Sequence, residues 1–227
     1  MGNKLQIEAQ AQIAAVREIF YLFFSSIFLN PPQDNLIKQL QEPGLLEELS
    51  QYFDPSVLAI LEEFSQGYNG DLDKLQQEYY DLFHVPLGKY VTPYESVYCD
   101  TWEIAGKKKK GLLLGPSAQA VRKIYRRAGT ELDEHCTELP DHAGIELAFM
   151  HYLCQREREA WQQGKEEEAV QWQKLEAEFV INHLTPWLPE LCKQICQKTQ
   201  SDFYRGIAQL INEFILFEEK TLTHLPG

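Results

Sequence analysis

Glu138, Asp141, His142 and Glu146 place three carboxyl groups and a titratable ring within nine residues, behind Pro140. Such a grouping has the parts for acid–base catalysis, for metal ligation, or for accepting hydrogen bonds from a cationic ligand. Pro140 forces the residue before it into an extended conformation, so a helix should begin just beyond it. Asp141 is the expected N-cap, with its charge at the positive end of the helix dipole. His142, Glu146 and Met150 follow at intervals of four and therefore share one helical face.

Each chemistry needs partners elsewhere in the chain. H-E-x-x-H is absent, and none of the six histidines has a glutamate three positions before it, which removes the ligand pairs of di-iron bundles. Asp81 and His84 come nearest, on an amphipathic helix where a structural role suffices. Cys192 and Cys196 share a helix face but lack the second thiol pair that zinc requires. His135-Cys136 near His142 has no orienting third group for nucleophilic catalysis. The glycines around Lys107 to Lys110 do not form G-x-x-x-x-G-K-[ST]. No catalytic residue, metal or cofactor is therefore assigned, although a helical enzyme that binds or hydrolyses nucleotide through the lysine loop stays open as an alternative. Two readings of the Asp141 group remain. In one it only caps and packs a helix; in the other its carboxylates accept the planar fork of arginine guanidinium groups, with Tyr94, Tyr98 or Trp102 stacking beside them.

The elements that must hold these residues are helical. Ile13, Val16, Ile19, Phe20, Phe23, Phe24, Ile27 and Phe28 recur at helical spacing until Pro31-Pro32. Further helices are predicted at about 33–41, 43–52, 55–66, 71–84, 116–128, 142–163, 166–184 and 202–221. No segment predicts a sheet. The 87–114 stretch is the one long irregular connection, and it carries Tyr90, Tyr94, Tyr98 and Trp102. The expected fold is one all-α domain over 1–227: N-terminal helices at 5–86, the connection at 87–114, and C-terminal helices at 115–222.

Charge narrows the partners. The chain has 34 acids against 21 bases, yet residues 107–127 hold eight of those bases and no acid, so the remainder is more acidic still. Such a field disfavours nucleic acid and attracts basic peptides. Five cysteines without a C-x-x-C pair fit a reducing compartment, and the longest apolar run, Ile19 to Leu29, is interrupted by Ser25-Ser26 and too short to span a bilayer. Direct membrane insertion is not expected, and the location expected is cytoplasmic.

Three ordered segments also resemble a known family. Glu138-x-Pro140-Asp141-His142-x-x-x-Glu146-Leu147-x-Phe149-Met150 is similar to the signature of the TorD/DmsD/NarJ-type molybdoenzyme chaperones. Tyr79-x-x-Leu82-Phe83-x-x-Pro86 with Tyr94-Glu95-Ser96-Val97-Tyr98 resembles their central block, more loosely, and Phe179-x-x-x-His183-Leu184-x-x-Trp187-x-Pro189 a later helix end. The resemblance implies a TorD-like helical bundle and a cytoplasmic, non-enzymatic chaperone. Such a protein binds the twin-arginine leader or the immature body of a molybdopterin-containing oxidoreductase until its cofactor is inserted. It further implies that Glu138, Pro140, Asp141, His142 and Glu146 line or shape the leader site, with Glu95, Ser96 and Tyr98 contributing from the connection. A monomer and a dimer that swaps helix groups are both compatible with the long connection.

Overall fold

The computed structural model describes residues 2–42, 44–104 and 106–223. Its helices are α1 (Gly2–Leu29), α2 (Asp34–Gln41), α3 (Leu45–Leu49), α4 (Pro55–Gly67), α5 (Leu72–Phe83), α6 (Glu95–Cys99), α7 (Pro116–Arg127), α8 (Ala143–Gln162), α9 (Glu166–Phe179), α10 (Leu188–Lys198) and α11 (Asp202–Thr223). Local chemistry sets many ends. Asp54 accepts the Ser56 amide ahead of Pro55 at the start of α4, and Asp71 accepts that of Lys74 in α5. Pro116 opens α7, and Gly129, at φ +76°, follows its end in the left-handed region that glycine adopts without penalty.

The departures from the expected pattern have physical reasons. The helix expected at 43–52 shrinks to α3, and Pro43 lies outside the described residues. The helix face expected to carry Cys192 and Cys196 belongs to α10, where Pro189 sits in the first turn and its missing amide costs nothing. The helix expected to run to 184 ends in a π-turn, Val180–Leu184. The 87–114 connection is not wholly irregular: it contains α6 and an antiparallel ribbon of β1 (Trp102–Ile104) and β2 (Lys107–Lys109). Three-residue strands fall below the length at which alternation can be read from sequence.

Contacts gather the chain into two compact units that interleave along the sequence. The first comprises 1–29, 94–187 and 218–227; the second comprises 30–93 and 188–217. In the second, α4 and α11 approach so closely at Gly206 that a Cβ there would lie 2.6 Å from Leu61 Cδ2. Phe64 and Phe203 pack with ring centroids 5.4 Å apart.

In the first unit α1 lies along α8. A Cβ on Gly144 would meet Leu29 Cγ at 2.5 Å, so glycine permits the helices to approach, and Ser25 Oγ donates to Gly144 O at 2.8 Å. By length and mean hydropathy α1 is apolar enough to cross a membrane, contrary to the expectation from the Ile19 to Leu29 run alone. Its middle nevertheless carries Arg17, buried among three glutamates. The guanidinium donates to both oxygens of Glu218 at 2.8–2.9 Å and to Glu157 at 3.0 Å, and pairs with Glu176 at 2.6 Å. Tyr21 adds a bond to Glu218, and Trp161 and Gln173 donate to Glu157. Burial, with Glu157 and Glu218 alongside, pushes the Glu176 carboxyl well above its usual range despite Arg17. α1 is thus a core helix organised around an ion cluster.

Candidate functional site

The polar residues singled out in the sequence come together in the first unit. An isolated antiparallel bridge joins Tyr94 to His142, and the Glu95 amide donates to Asp141 O at 2.9 Å. This pairing ties the start of α6 to the start of α8. Asp141 is not the N-cap of α8. That role falls to His142, whose Nδ1 accepts the Gly144 amide at 3.1 Å, which leaves the ring proton on Nε2. The Asp141 carboxylate instead accepts the Ser96 amide at 3.0 Å, capping α6 across a distance of 45 residues in sequence. Pro140 presents its carbonyl to the Tyr125 hydroxyl at 2.7 Å.

Beneath this pairing lies a cluster of acids. Glu95, Asp141 and Glu146 are all buried. Trp187 Nε1 donates to Glu146 Oε2 at 3.1 Å, and His183, on the π-turn, sets Nδ1 3.1 Å from Glu95 Oε2. π-turns concentrate at functional sites. Burial first, then the charge and hydrogen bond of Glu95, and then Asp141, push the Glu146 carboxyl well above its usual range; the Trp187 bond opposes them. Glu146 Oε1 faces no donor. A proton held on it turns that oxygen into the donor and Glu95 into its acceptor, which resolves the apparent vacancy. Tyr125, Phe149 and Phe179 pack together at centroid distances of 4.5–6.1 Å and supply apolar surroundings.

Asp141, His142, Glu146, Glu95 and Ser96 are sealed from solvent, so in this conformation the buried carboxylates accept internal donors and present no oxygen to an incoming guanidinium. Glu138 and Tyr98 lie at the edge. The Glu138 side chain is 25% exposed; its Oε2 accepts the Tyr94 hydroxyl at 2.6 Å and lies 3.9 Å from His142 Nε2. Tyr98, half-buried, packs on Trp187 at 5.4 Å. Tyr79, Leu82 and Phe83 belong to the core of the second unit and do not enter this cluster. The reading of single residues overlooked His183 and Trp187 as polar partners; the motif spacing Phe179-x-x-x-His183 was the available signal.

The second unit contains an open groove of about 540 Å³ bordered by Glu63, Asp71, Glu78, Asp81 and Asp202, with Lys74 and Lys89. Glu78, buried among the lining residues, is held by Lys89, Thr199 and the Gln200 amide. Among the described residues no group of three or more His, Cys, Asp or Glu side chains is arranged to hold a metal ion.

Comparison with known proteins places this geometry in context. Residues 38–193 match the family described as the nitrate reductase delta subunit. The chaperone protein TorD of Vibrio parahaemolyticus is 26% identical over 206 residues, covering 87% of this chain and 90% of its own. A perchlorate reductase assembly chaperone protein from Dechloromonas aromatica is 26% identical over 122 residues, 54% of this chain and 49% of that one. A solved Archaeoglobus fulgidus structure, described as a redox enzyme maturation protein, matches at 18% identity with a TM-score of 0.47, covering 88% and 93% of the two chains.

Proposed function

From the membership of this chain in the nitrate reductase delta subunit family, we propose that it holds the twin-arginine leader of a molybdopterin-containing oxidoreductase in the cytoplasm while that enzyme matures. The protein is a chaperone of molybdoenzyme maturation and not an enzyme. The observation that carries the leader reading is the convergence of Tyr94 to Tyr98, Glu138 to Glu146 and His183 to Trp187, segments far apart in sequence, on one polar cluster. Buried acids cost several kcal/mol, on the order of the desolvation penalty, unless hydrogen-bonded, and unlike the acids around Arg17 these three have no arginine or lysine partner among the described residues.

The roles divide by accessibility. Glu138, 25% exposed, offers its carboxylate to a guanidinium, and Tyr98, packed on Trp187, offers a ring face. Asp141, His142, Glu146, Glu95, Ser96 and Pro140 shape that edge from within by fixing the ends of α6 and α8. The net charge of −13 steers a basic leader toward the protein before contact.

Calorimetry with the full chain and a twin-arginine leader peptide tests this. Affinity should fall when the arginine pair is replaced by lysines, which lack the planar fork, and should weaken with salt. Equal affinity for both peptides would overturn the guanidinium reading.

A further inference from the structure

In the ribbon and the turn after it, none of the described residues 102–104 and 106–114 is hydrogen-bonded into the cluster described above. Trp102 pairs with Lys109, Glu103 with Lys108 and Ile104 with Lys107. Successive side chains of a strand point to opposite faces, so a ribbon resting on the protein would bury alternate residues. Lys107, Lys108 and Lys109 are all exposed, and Lys110 follows them into solvent. Both faces of this strand are therefore open, and none of the four lysines forms an ion pair among the described residues.

Three leucines follow directly. Leu112 is half-buried, while Leu113 and Leu114 are 46% and 58% exposed. Leu114 has φ +61°, the one positive value at a residue other than glycine among the described residues. A bulky side chain is strained there, and such strain persists only where neighbours enforce it. The neighbours are visible: a Cβ on Gly115 would collide with Asp100, which accepts the Ser117 amide at 3.1 Å and the Ser117 hydroxyl at 2.7 Å. Asp100 thus fastens the chain just beyond Leu114, next to the two exposed leucines.

Four cations beside two projecting leucines call for a partner that is anionic and apolar together. Duplex nucleic acid supplies the charge with its apolar bases stacked away, and an acidic protein offers apolar surface only where a matching patch is built, whereas an anionic bilayer presents both charge and an apolar phase over its whole area. The acidic remainder of the chain repels any anionic partner, but beyond about 8 Å at physiological salt that repulsion is screened while the ribbon is in contact. We propose that Lys107 to Leu114 dock this protein peripherally on an anionic phospholipid bilayer, the lysines on lipid phosphates and Leu113 and Leu114 at the acyl boundary.

Sedimentation of the full chain with vesicles tests the proposal. Vesicles of equimolar phosphatidylcholine and phosphatidylglycerol should bind it, those of phosphatidylcholine alone should not, and salt should reverse the binding. Replacing each lysine by alanine should weaken partition about fivefold, the equivalent of about 1 kcal/mol per charge. Leu114→Gly provides a control against misfolding, because glycine suits φ +61°: the variant should melt no lower than wild type yet bind anionic vesicles more weakly. Equal binding to both vesicle types, no binding to either, or tighter binding to duplex DNA or polyglutamate would overturn the proposal. Leader affinity, measured separately on the four-lysine variant, should be retained, so failure here leaves the chaperone reading standing.

Discussion

The Arg17 cluster and the Asp141 cluster each gather three buried carboxyl groups in the same unit, but only the first encloses a guanidinium. Glu157, Glu176 and Glu218 surround Arg17, which is hydrogen-bonded or ion-paired to all three. Glu95, Asp141 and Glu146 have a histidine, an indole and the Ser96 backbone amide, and among the described residues no arginine or lysine pairs with them. A buried charge needs an opposite charge or several donors to offset its desolvation. The first cluster meets that need internally and fastens α1 to α8, α9 and α11. The second meets it by holding a proton on Glu146, and leaves Glu138 at its edge partly open. One region is organised around a buried guanidinium, and the other has a partly exposed carboxylate, Glu138, at its edge.

That contrast can be broken most strongly at Arg17. Arg17→Met should destabilise the protein by about 3–5 kcal/mol, because three glutamates lose their cation at once, and thermal melting would register the loss. Asp141→Ala should cost less, about 1–3 kcal/mol, since chiefly the buried Ser96 amide is left without its acceptor. A denaturation midpoint equal to that of wild type would show that Asp141 does not hold α6.

Glu146 sharpens the comparison through pH. Its folded pKa is raised, so the stability it contributes is fully present below the ordinary glutamate value of 4.5 and is lost as pH rises through the folded value. Glu146→Gln copies the protonated form and does not titrate. The stability of wild type relative to this variant should therefore decline as pH rises above 4.5. Denaturant melts across pH would contradict the shared proton if that difference were flat. Glu138→Gln, at the exposed edge, should change stability least, by about 0.5 kcal/mol or less.

Much of the helical pattern was legible because amphipathic periodicity and proline or glycine punctuation are local signals; α4, α5, α7 and α8 start and stop near where those residues predict. The ion cluster was not legible. Arg17 and Glu218 are 201 residues apart, and a charged residue on an apolar helix does not announce its partner. The Asp141 motif was recognised as a unit, but its direction was misread. A local cap and a long-range cap use the same residue, and nothing near Asp141 says that the Ser96 amide will reach it first. Burial of Glu146 likewise depends on Trp187, contributed by a segment 41 residues later.

On the proposed function, the second cluster shapes the edge at which Glu138 meets a leader peptide. Titrating a twin-arginine leader into wild type and Glu138→Gln, with melting temperatures recorded alongside, tests it most directly. The account predicts an affinity lower by about tenfold or more, the value of one charge-assisted hydrogen bond, at an unchanged melting temperature. Unchanged affinity in a variant that melts like wild type would contradict it.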